Sequence, residues 1–408
     1  MPQRPVSPEV LPSLPASSSA FYATVSALAM GQLFGWAALY YAFSSFVLPM
    51  NASFGWGKAD MMGAFTLGLA MWGAGSYAAG AAIDRGHGRK VLTGGAALAG
   101  VGFLAWSQVN SLIALYAVWA VLGLSMSMCL YEPAFSVVTR RFPTRFGTAI
   151  TGLTLVGGLA STLSYPAVAW LIATAGWRAS LMVVGAVLLL VAAPLNAWAL
   201  REAEPPRPSA APGVSQDATF HEALRHKAFW LLALTFTLYS LVSATFWAHV
   251  MPAFVSKGTP EKEALLVLMW IGPAQVLGRL AFLGGARHVA TRVLGLVVFA
   301  ALPAALLLFA LAESLPVLLL FAVLFGAANG LVTIVRGHVV PMYFGRAHVG
   351  RISGAMSTLT LLPRAFGPLL GAWLLLVVSG YRDLLLTMAG LGVLALLTFA
   401  SARPPAGR

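Results

Sequence analysis

Charged residues are scarce in this sequence. Asp, Glu, Lys and Arg together make up 9% of the 408 residues, whereas apolar residues make up 59% and the mean hydropathy is +0.83. Water-soluble domains carry about 25% charged residues, so this composition excludes a soluble globular protein. Lipid is the solvent that fits such a chain.

Cysteine and catalytic motifs are also scarce or missing. The single cysteine, Cys129, lies in an apolar run, which excludes an intrachain disulfide and argues against a cysteine-based metal site. No Gly-x-x-x-x-Gly-Lys-Ser/Thr loop occurs, so ATP is not the expected energy source, and no His-Glu-x-x-His motif is present. We therefore expect neither enzyme activity nor a cofactor.

Acidic residues are outnumbered, 12 against 25 basic residues, which gives a net charge of +13. A basic protein often binds nucleic acid, but here Lys and Arg fall in short connectors between apolar runs, which argues against a nucleic-acid partner. The N-terminal stretch MPQRPVSPEVLPSLPASSSA has no apolar core of the kind that cleaved signal peptides need. We expect it to be a cytoplasmic tail.

Long apolar runs, by contrast, are abundant. Only helices and closed barrels can cross lipid, and these runs lack the alternating pattern of barrel strands, so we predict an all-α membrane protein. Because a helix needs about 20 apolar residues to cross the bilayer, the runs predict twelve spans. They cover residues 20–47, 59–83, 91–109, 111–138, 146–173, 179–200, 228–253, 262–284, 291–312, 314–337, 350–377 and 381–401.

The twelve predicted spans fall into two groups of six. The polar, proline-rich stretch 201–227 separates them, which predicts a tail (1–19), a first bundle (20–200), a linker (201–227), a second bundle (228–401) and a tail (402–408). The groups also repeat, because RRFPTRFGTAITG (140–152) enters span 5 and MYFGRAHVGRISG (342–354) enters span 11. Transporters built from such repeats bind their substrate between the repeats, near the membrane midplane.

Basic residues are distributed unevenly over the predicted connectors. With both termini in the cytoplasm, 18 of the 25 lie on the cytoplasmic side, five lie outside and two lie within spans. This bias follows the positive-inside rule. It predicts a multi-pass protein of the inner or plasma membrane with both termini in the cytoplasm.

The connector between spans 2 and 3, GAAIDRGHGRK, concentrates charge in a few positions. With one extra residue, it matches the motif Gly-x-x-x-Asp-Arg-x-Gly-Arg-Lys/Arg, and GWR follows span 5 (176–178). The matching residues are Gly80, Asp84, Arg85, Gly88, Arg89 and Lys90. With these motifs and twelve spans in two similar halves, the chain resembles the major facilitator superfamily. The resemblance implies two pseudo-symmetric six-helix bundles.

The same connector is predicted to act as a gate. A carboxylate at Asp84 can meet the positive N-terminal end of span 11, which begins near Gly350. Its basic neighbours are expected to pair across the interface between the halves and to break these contacts in the other state; they are Arg85, Arg89 and Lys90. The alternative is that these charges only fix the topology.

Ionisable residues within spans are candidates for function, because a charge is costly in lipid. Arg279 lies in GPAQVLGRLAF of span 8, one turn from Gln275. This stretch and FGWGKADMMGAFTLG (54–68) resemble the monocarboxylate and oxalate/formate porter branch, which implies that an arginine in span 8 holds the substrate carboxylate. Span 1 lacks the basic residue that some members of that branch have. The alternative, a structural ion pair between Arg279 and Glu132, stays open.

Arg364 belongs to a polar stripe on span 11 that also contains Ser353, Ser357 and Thr360. The corresponding face of span 5 carries Thr151, Thr154, Gly158, Thr162 and Tyr165. Opposed polar stripes predict either a wet cavity or a close helix contact. We favour the cavity, with Arg364 as a second anion ligand.

Further polar side chains are expected along the central path, which the resemblance places between spans 1, 4, 7 and 10. The predicted substrate contacts on these spans are Gln32, Tyr40, Tyr239 and Asn329. Glu132 of span 4 is the clearly intramembrane carboxylate. It is either a proton carrier, whose pKa desolvation must raise, or a structural or gating residue paired with Arg140, Arg141, Arg279 or Arg336. We favour the structural or gating role.

Together these features predict a monomeric secondary active transporter that moves a small, monocarboxylate-like organic anion with protons by alternating access. One alternative is proton-driven efflux of a drug-like or toxic compound, although the excess of basic groups argues against cationic drugs. An alternative from another class is a non-transporting membrane sensor or scaffold, which would be expected to carry an added soluble domain.

Overall fold

The structure is a computed structural model that describes residues 18–202, 217–284 and 289–405. Within these residues the protein is helical and contains no strand. Residues 1–17 of the predicted N-terminal tail, 406–408 of the predicted C-terminal tail and 203–216 of the predicted linker lie outside the described residues. So do four residues between spans 8 and 9 (285–288).

The apolar runs form helices close to the predicted positions. In the first half, the helices are Ser18–Trp36 and Phe43–Phe54 (span 1), Lys58–Ala82 (span 2), Gly88–Ser107 (span 3), Leu112–Cys129 and Tyr131–Arg141 (span 4), Phe146–Gly157 and 160–175 (span 5), and 177–187 and Ala193–Ala199 (span 6). In the second half they are Lys227–Ser256, Glu261–Gly284, Thr291–Leu311, Leu315–Phe344, Val349–Leu374 and Tyr381–Ser401 (spans 7–12).

Nine stretches of the described residues are long and apolar enough to cross a bilayer. Two of them, Lys58–Ser107 and Phe146–Ala199, are 50 and 54 residues long, roughly twice the length of one span. Each contains a glycine with positive φ, Gly86 (91°) and Gly176 (78°), where the helix is interrupted. With span 11, which carries two arginines, the described chain accounts for the twelve predicted spans.

Each half has its own apolar core. In the first half, Trp106 and Trp119 pack edge to face with their ring centroids 5.1 Å apart. In the second half, Phe309 and Phe321 stack at 4.8 Å beside Phe246. Apart from Leu361 of span 11, which packs into the core of the first half, the residues of each core belong to one half. The halves are therefore two bundles that meet along an interface.

The two ends of the molecule differ in the segments that they expose. We call one end the basic face, which carries residues 84–90, 140–146, 200–202, 217–226, 289–292, 344–351 and 401–405. The other end is the far face, which carries residues 54–57, 108–111, 176–178, 257–260, 312–314 and 376–381. Contacts among these segments define the faces: Arg141 pairs with Glu202 on the basic face, and Lys257 bonds the carbonyl of Ala312 on the far face.

Spans 2 and 11 approach each other most closely where small residues face one another. A Cβ on Gly80 would clash with the carbonyl of Gly350, and one on Gly354 would lie 2.4 Å from the carbonyl oxygen of Ser76. Further along, Thr358 Oγ1 donates to the carbonyl of Gly73 at 2.6 Å. Here the halves touch through backbone rather than through interlocked large side chains.

The end of the predicted linker is ordered and belongs to the second half. Ala218 N donates to the carbonyl of Phe344 at 2.8 Å, and a short helix follows at Phe220–Arg225 with a Thr219–Glu222 capping box. Ala218 is buried in the core of the second half. Polarity alone marked this segment as connector, but its two small apolar residues, Ala218 and Ala223, are buried.

Candidate functional site

The contact between Asp84 and span 11 closes the interface on the basic face. Gly350 N and Arg351 N, the first free donors of span 11, bond the two carboxylate oxygens of Asp84 at 2.9 Å each. The predicted meeting of Asp84 with this helix end is therefore present. Burial raises the pKa of the Asp84 carboxyl, and the two N–H donors and Arg140 oppose that rise.

The predicted pairing of the neighbouring bases is wrong. The side chains of three basic residues are exposed and have no ion-pair partner among the described residues: Arg85, Arg89 and Lys90. The base that joins Asp84 is Arg140 from the end of span 4, at 3.6 Å, and it also bonds the carbonyl of Ala347 at 3.4 Å. Arg85 directly precedes the turn at Gly86, Arg89 and Lys90 follow it, and all three lie at the surface, whereas Arg140 lies against the interface.

Glu132 is paired across the halves. Its Oε1 lies 3.5 Å from Nη2 of Arg336 in span 10, and that same nitrogen donates to Ser357 Oγ at 2.9 Å. The other oxygen, Oε2, has no hydrogen-bond partner among the described residues. A cavity of about 20 Å³ adjoins the pair and is lined from both halves, which is room for one water. Of the four bases considered as partners of Glu132, the structure selects Arg336.

Arg279 lies on the line where span 8 meets span 5. Its side chain is 3% exposed, its Nε donates to the carbonyl of Gly330 at 3.2 Å, and its Nη1 has no partner among the described residues. The guanidinium fills the space where a side chain on Gly158 would lie. The alternative ion pair with Glu132 is absent, so one face of this buried cation is unsatisfied.

Arg364 reaches from span 11 to span 1. Its Nη2 donates to the hydroxyl of Tyr40, and its guanidinium carbon lies 5.3 Å from the Tyr40 ring centroid. Tyr40 and Tyr41 are held by a π-helical turn, Ala37–Tyr41, whose first carbonyl accepts from Ser164 Oγ at 2.7 Å. Such turns often occur at functional sites. This one places two tyrosines side by side toward the second half.

The three arginines and Glu132 form one electrostatic cluster between the halves. Arg336 is close enough to Arg364 for the two charges to interact, and Tyr41 is close enough to interact with both Arg279 and Arg364. Three cations and one carboxylate leave an excess of positive charge. We call Arg279, Arg336, Arg364 and Glu132, with Tyr40 and Tyr41, the central cluster.

In the described part of the chain, the polar and ring contacts between the halves lie between the basic face and the central cluster. Among the described residues, no hydrogen bond, ion pair or ring contact joins them on the far side of Tyr40 and Arg364. On that side, the contacts stay within one half, such as Trp177 to Ser53 and Thr245 to Gly367. These contacts close the interface toward the basic face, and no such contact between described residues closes it toward the far face.

Gln32 is placed inside the first half, not on the path. It is fully buried, and its Nε2 donates to the carbonyl of Cys129 at 2.8 Å. That carbonyl is free because the residue four positions later is Pro133, which has no N–H, and span 4 is broken at Leu130. The spacing of eight residues would place Gln32 and Tyr40 on one face of a regular helix, but the π turn at Ala37–Tyr41 changes the register before Tyr40.

Three other predicted substrate contacts, Tyr239, Gln275 and Asn329, make no hydrogen bond to a described residue of the central cluster. Tyr239 is buried inside the second half, with its ring 5.7 Å from Phe299. Gln275 and Asn329 are half-buried, beside Arg279 and Gly330 in sequence, and no hydrogen bond to a described residue engages their amides.

The two polar stripes do not oppose each other. Span 5 packs against spans 1, 8 and 10, whereas span 11 packs against spans 2 and 7. Each stripe instead contacts an arginine of the central cluster. Gly158 makes room for Arg279, and Ser357 accepts from Arg336.

The family model of the Major Facilitator Superfamily matches residues 25–291, about two thirds of the chain. The chain belongs to the major facilitator superfamily. It is therefore a multi-pass membrane transporter rather than an enzyme.

Curated relatives of this transporter are named monocarboxylate transporters. Monocarboxylate transporter 11 from Homo sapiens is 30% identical over 203 residues, which are 50% of this chain and 43% of that protein. Monocarboxylate transporter 13 from Rattus norvegicus is 27% identical over 366 residues, 86% of this chain and 82% of that protein. The chain spans about half the length of the first curated relatives it matches.

Solved structures show the same fold. The human organic anion transporter MFSD10 (TETRAN) superposes with a TM-score of 0.70 at 16% identity, over 94% of this chain and 99% of that one. The E. coli fucose:proton symporter FucP gives 0.73 at 12% identity, again over 94% and 99%. At these identities the likeness concerns the fold alone.

Sequence reasoning missed Tyr41 of the central cluster and its neighbour Tyr131. Tyr41 was overlooked because a regular helix would have turned it away from Tyr40. Tyr131, which lies near Arg279 and Glu132, directly follows the break in span 4. Pro133 is the sequence signal from which both this break and the role of Gln32 could have been predicted, but it was not used.

Proposed function

We propose that this transporter moves a small organic anion, with Arg279 and Arg364 as ligands for its carboxylate. The observation that carries the proposal is the charge imbalance of the central cluster, three guanidinium groups against one carboxylate. Only one of these arginines, Arg336, is within ion-pair distance of Glu132. An anion at the midplane would supply the missing negative charge.

The geometry of the two remaining arginines suits a carboxylate. Nη1 of the buried Arg279 lacks a partner, and a charged donor without an acceptor is expensive to bury. Arg364 is half-buried and bonds only the neutral hydroxyl of Tyr40. Guanidinium groups bind carboxylates through two parallel N–H bonds, so both side chains have donors to offer.

The names of the relatives support the same substrate class. The curated relatives are called monocarboxylate transporters, and one protein of the same fold is an organic anion transporter. For this chain we propose a compact monocarboxylate, because the buried Arg279 leaves little space beside Gly158.

We further propose that transport is coupled to protons through Glu132. Protonation would neutralise the carboxylate and release Arg336, which holds the two halves together. The unpartnered Oε2 and the small cavity beside it give a proton an acceptor and a route. Gating and proton coupling are then the same event at Glu132. This residue would serve both as proton carrier and as gate, the two roles that the sequence analysis considered for it.

The positive-inside rule supports a membrane orientation for the proposal. The exposed arginines and lysine of the basic face belong in the cytoplasm, so both termini are cytoplasmic and the open side faces outward. We propose the inner or plasma membrane as the location and a single chain as the working unit.

Uptake by purified protein in proteoliposomes tests the substrate. Radiolabelled lactate, pyruvate and benzoate are offered to wild type, Arg279→Gln and Arg364→Gln. Because a hydrogen bond to a charge contributes about 1.5–3 kcal/mol, each variant should bind or take up the anion roughly tenfold to a hundredfold less well. Arg346→Gln is the matched control, since Arg346 is exposed on the basic face away from the cluster.

Two results would count against the proposal. Normal uptake in either cluster variant removes that arginine from the site. Wild-type protein that takes up no anion, but is stabilised by neutral or cationic compounds in a thermal-shift screen, would favour the efflux of drug-like compounds instead.

A further inference from the structure

The second half contains a cavity on the far face that is separate from the central cluster. Its volume is about 420 Å³, within the range of about 300–1,000 Å³ typical of small-molecule sites. The ends of spans 7 and 9, the following loop and the start of span 12 enclose it. Its polar lining residues are Ser256, Lys257, Glu313, Ser379, Tyr381 and Arg382.

The charges in this far-face cavity are poorly balanced. Lys257 Nζ donates to the carbonyls of Ala310 and Ala312, at 3.1 and 3.0 Å, and has no carboxylate within ion-pair distance among the described residues. Arg382 is exposed and has no partner in the described part of the chain. Burial and the charge of Arg382 lower the pKa of Lys257, while the charge of Glu313 raises it.

An apolar slot continues beneath the cavity. Ala253, Tyr381 and Leu385 line both spaces, and the slot runs on between spans 7 and 12 past Phe246 and Met388. At its inner end the ring of His249 lies 6.1 Å from that of Tyr381, and His249 Nε2 bonds the carbonyl of Pro368. The space thus has a cationic rim and an apolar floor.

We propose that the far-face cavity binds an amphiphilic anion, with its carboxylate or phosphate on Lys257 and Arg382 and its apolar body against Tyr381 and Leu385. The anion completes the charge balance at the rim, and charge-assisted hydrogen bonds from two cations hold it. Every residue that lines the space belongs to the second half. Relative motion of the halves therefore leaves the site intact, and it is independent of the central cluster.

Fluorine NMR of para-trifluoromethylbenzoate tests the site in nanodiscs of phosphatidylcholine. To silence the central cluster, the full-length protein carries Arg279→Gln and Arg364→Gln, and we expect saturable binding of the probe to remain. Adding Arg382→Gln or Lys257→Gln should weaken this binding about tenfold or more. Arg382→Gln is the safer of the two, because Arg382 makes no contact that folding needs. Lys262→Gln, an exposed lysine of the same face outside the cavity, is the control and should bind as before.

Nanodiscs that contain phosphatidylglycerol identify the source of the anion. If phosphatidylglycerol weakens binding of the probe, and if Arg382→Gln binds the probe there as it does in phosphatidylcholine alone, the occupant is a lipid headgroup. If phosphatidylglycerol leaves binding of the probe unchanged, the occupant is a free anion. Both results support the site. The proposal is overturned if the protein with both central variants binds no probe, or if adding Lys257→Gln or Arg382→Gln to it leaves the binding unchanged.

Discussion

Under the proposed function, the pair of Glu132 and Arg336 joins proton chemistry to the closure of the interface. The carboxylate has one oxygen on the guanidinium and one without a partner. Neutralising it removes the attraction while Arg336 keeps its bond to Ser357. The charge state of one side chain can therefore decide whether spans 4 and 10 stay together.

Glu132→Gln should separate coupling from translocation. The amide imitates the protonated acid, so we expect exchange of substrate across the membrane to persist while accumulation driven by a pH gradient is lost. Proteoliposomes assayed with and without an imposed gradient measure both. Glu261→Gln, an exposed carboxylate on the far face, is the control. Gradient-driven accumulation at the wild-type level in Glu132→Gln would exclude proton coupling through this residue.

Irregular helix geometry explains why some polar residues are ligand candidates and others are not. In span 1 the π turn brings Tyr40 and Tyr41 together, and in span 4 the break before Pro133 leaves a free carbonyl that Gln32 occupies. Gln32 is therefore a positioning residue for span 4. It supports the segment that carries Tyr131 and Glu132.

Gln32→Leu should lower stability without changing substrate affinity. The substitution leaves the carbonyl of Cys129 buried and unbonded, which costs about 1–3 kcal/mol. We expect a lower Tm in a thermal unfolding scan and an unchanged KM for uptake. Gln108→Leu, which alters an exposed amide at the end of span 3, should leave both unchanged. A raised KM at normal Tm would return Gln32 to the list of substrate contacts.

The contact between spans 2 and 11 depends on the absence of side chains. A Cβ on Gly354 would press on the backbone of Ser76 and Tyr77. Gly354→Val should therefore prevent closure on the basic face. Spin labels on Arg89→Cys and Arg346→Cys, one in each half, should move apart in a double electron–electron resonance measurement. Gly390→Val, where nothing lies within 4 Å of the added Cβ, should leave the distance unchanged; an unchanged distance in Gly354→Val would show that the helices adapt.

The architecture could be predicted from the sequence because lipid permits few solutions. Apolar runs located the spans, and the motif around Asp84 with the end of span 11 at Gly350 predicted a contact that the structure contains. Partners across the interface could not be predicted in the same way. Whether Glu132 meets Arg279 or Arg336 depends on the rotation of spans 8 and 10 about their axes, which packing of the whole bundle sets. The exposure of Arg85 likewise depends on the turn at Gly86.

The glycine-lined contact has a consequence for how often the molecule can cycle. Where two backbones touch directly, the interface buries little apolar surface. The hydrophobic cost of separating the helices there scales with that buried area. Polar contacts of Asp84 and Glu132 add to apolar ones such as Phe135 against Gly337, and water can replace the polar contacts when the halves separate. The interface can therefore open and close in every transport cycle without disturbing the folded bundles on either side.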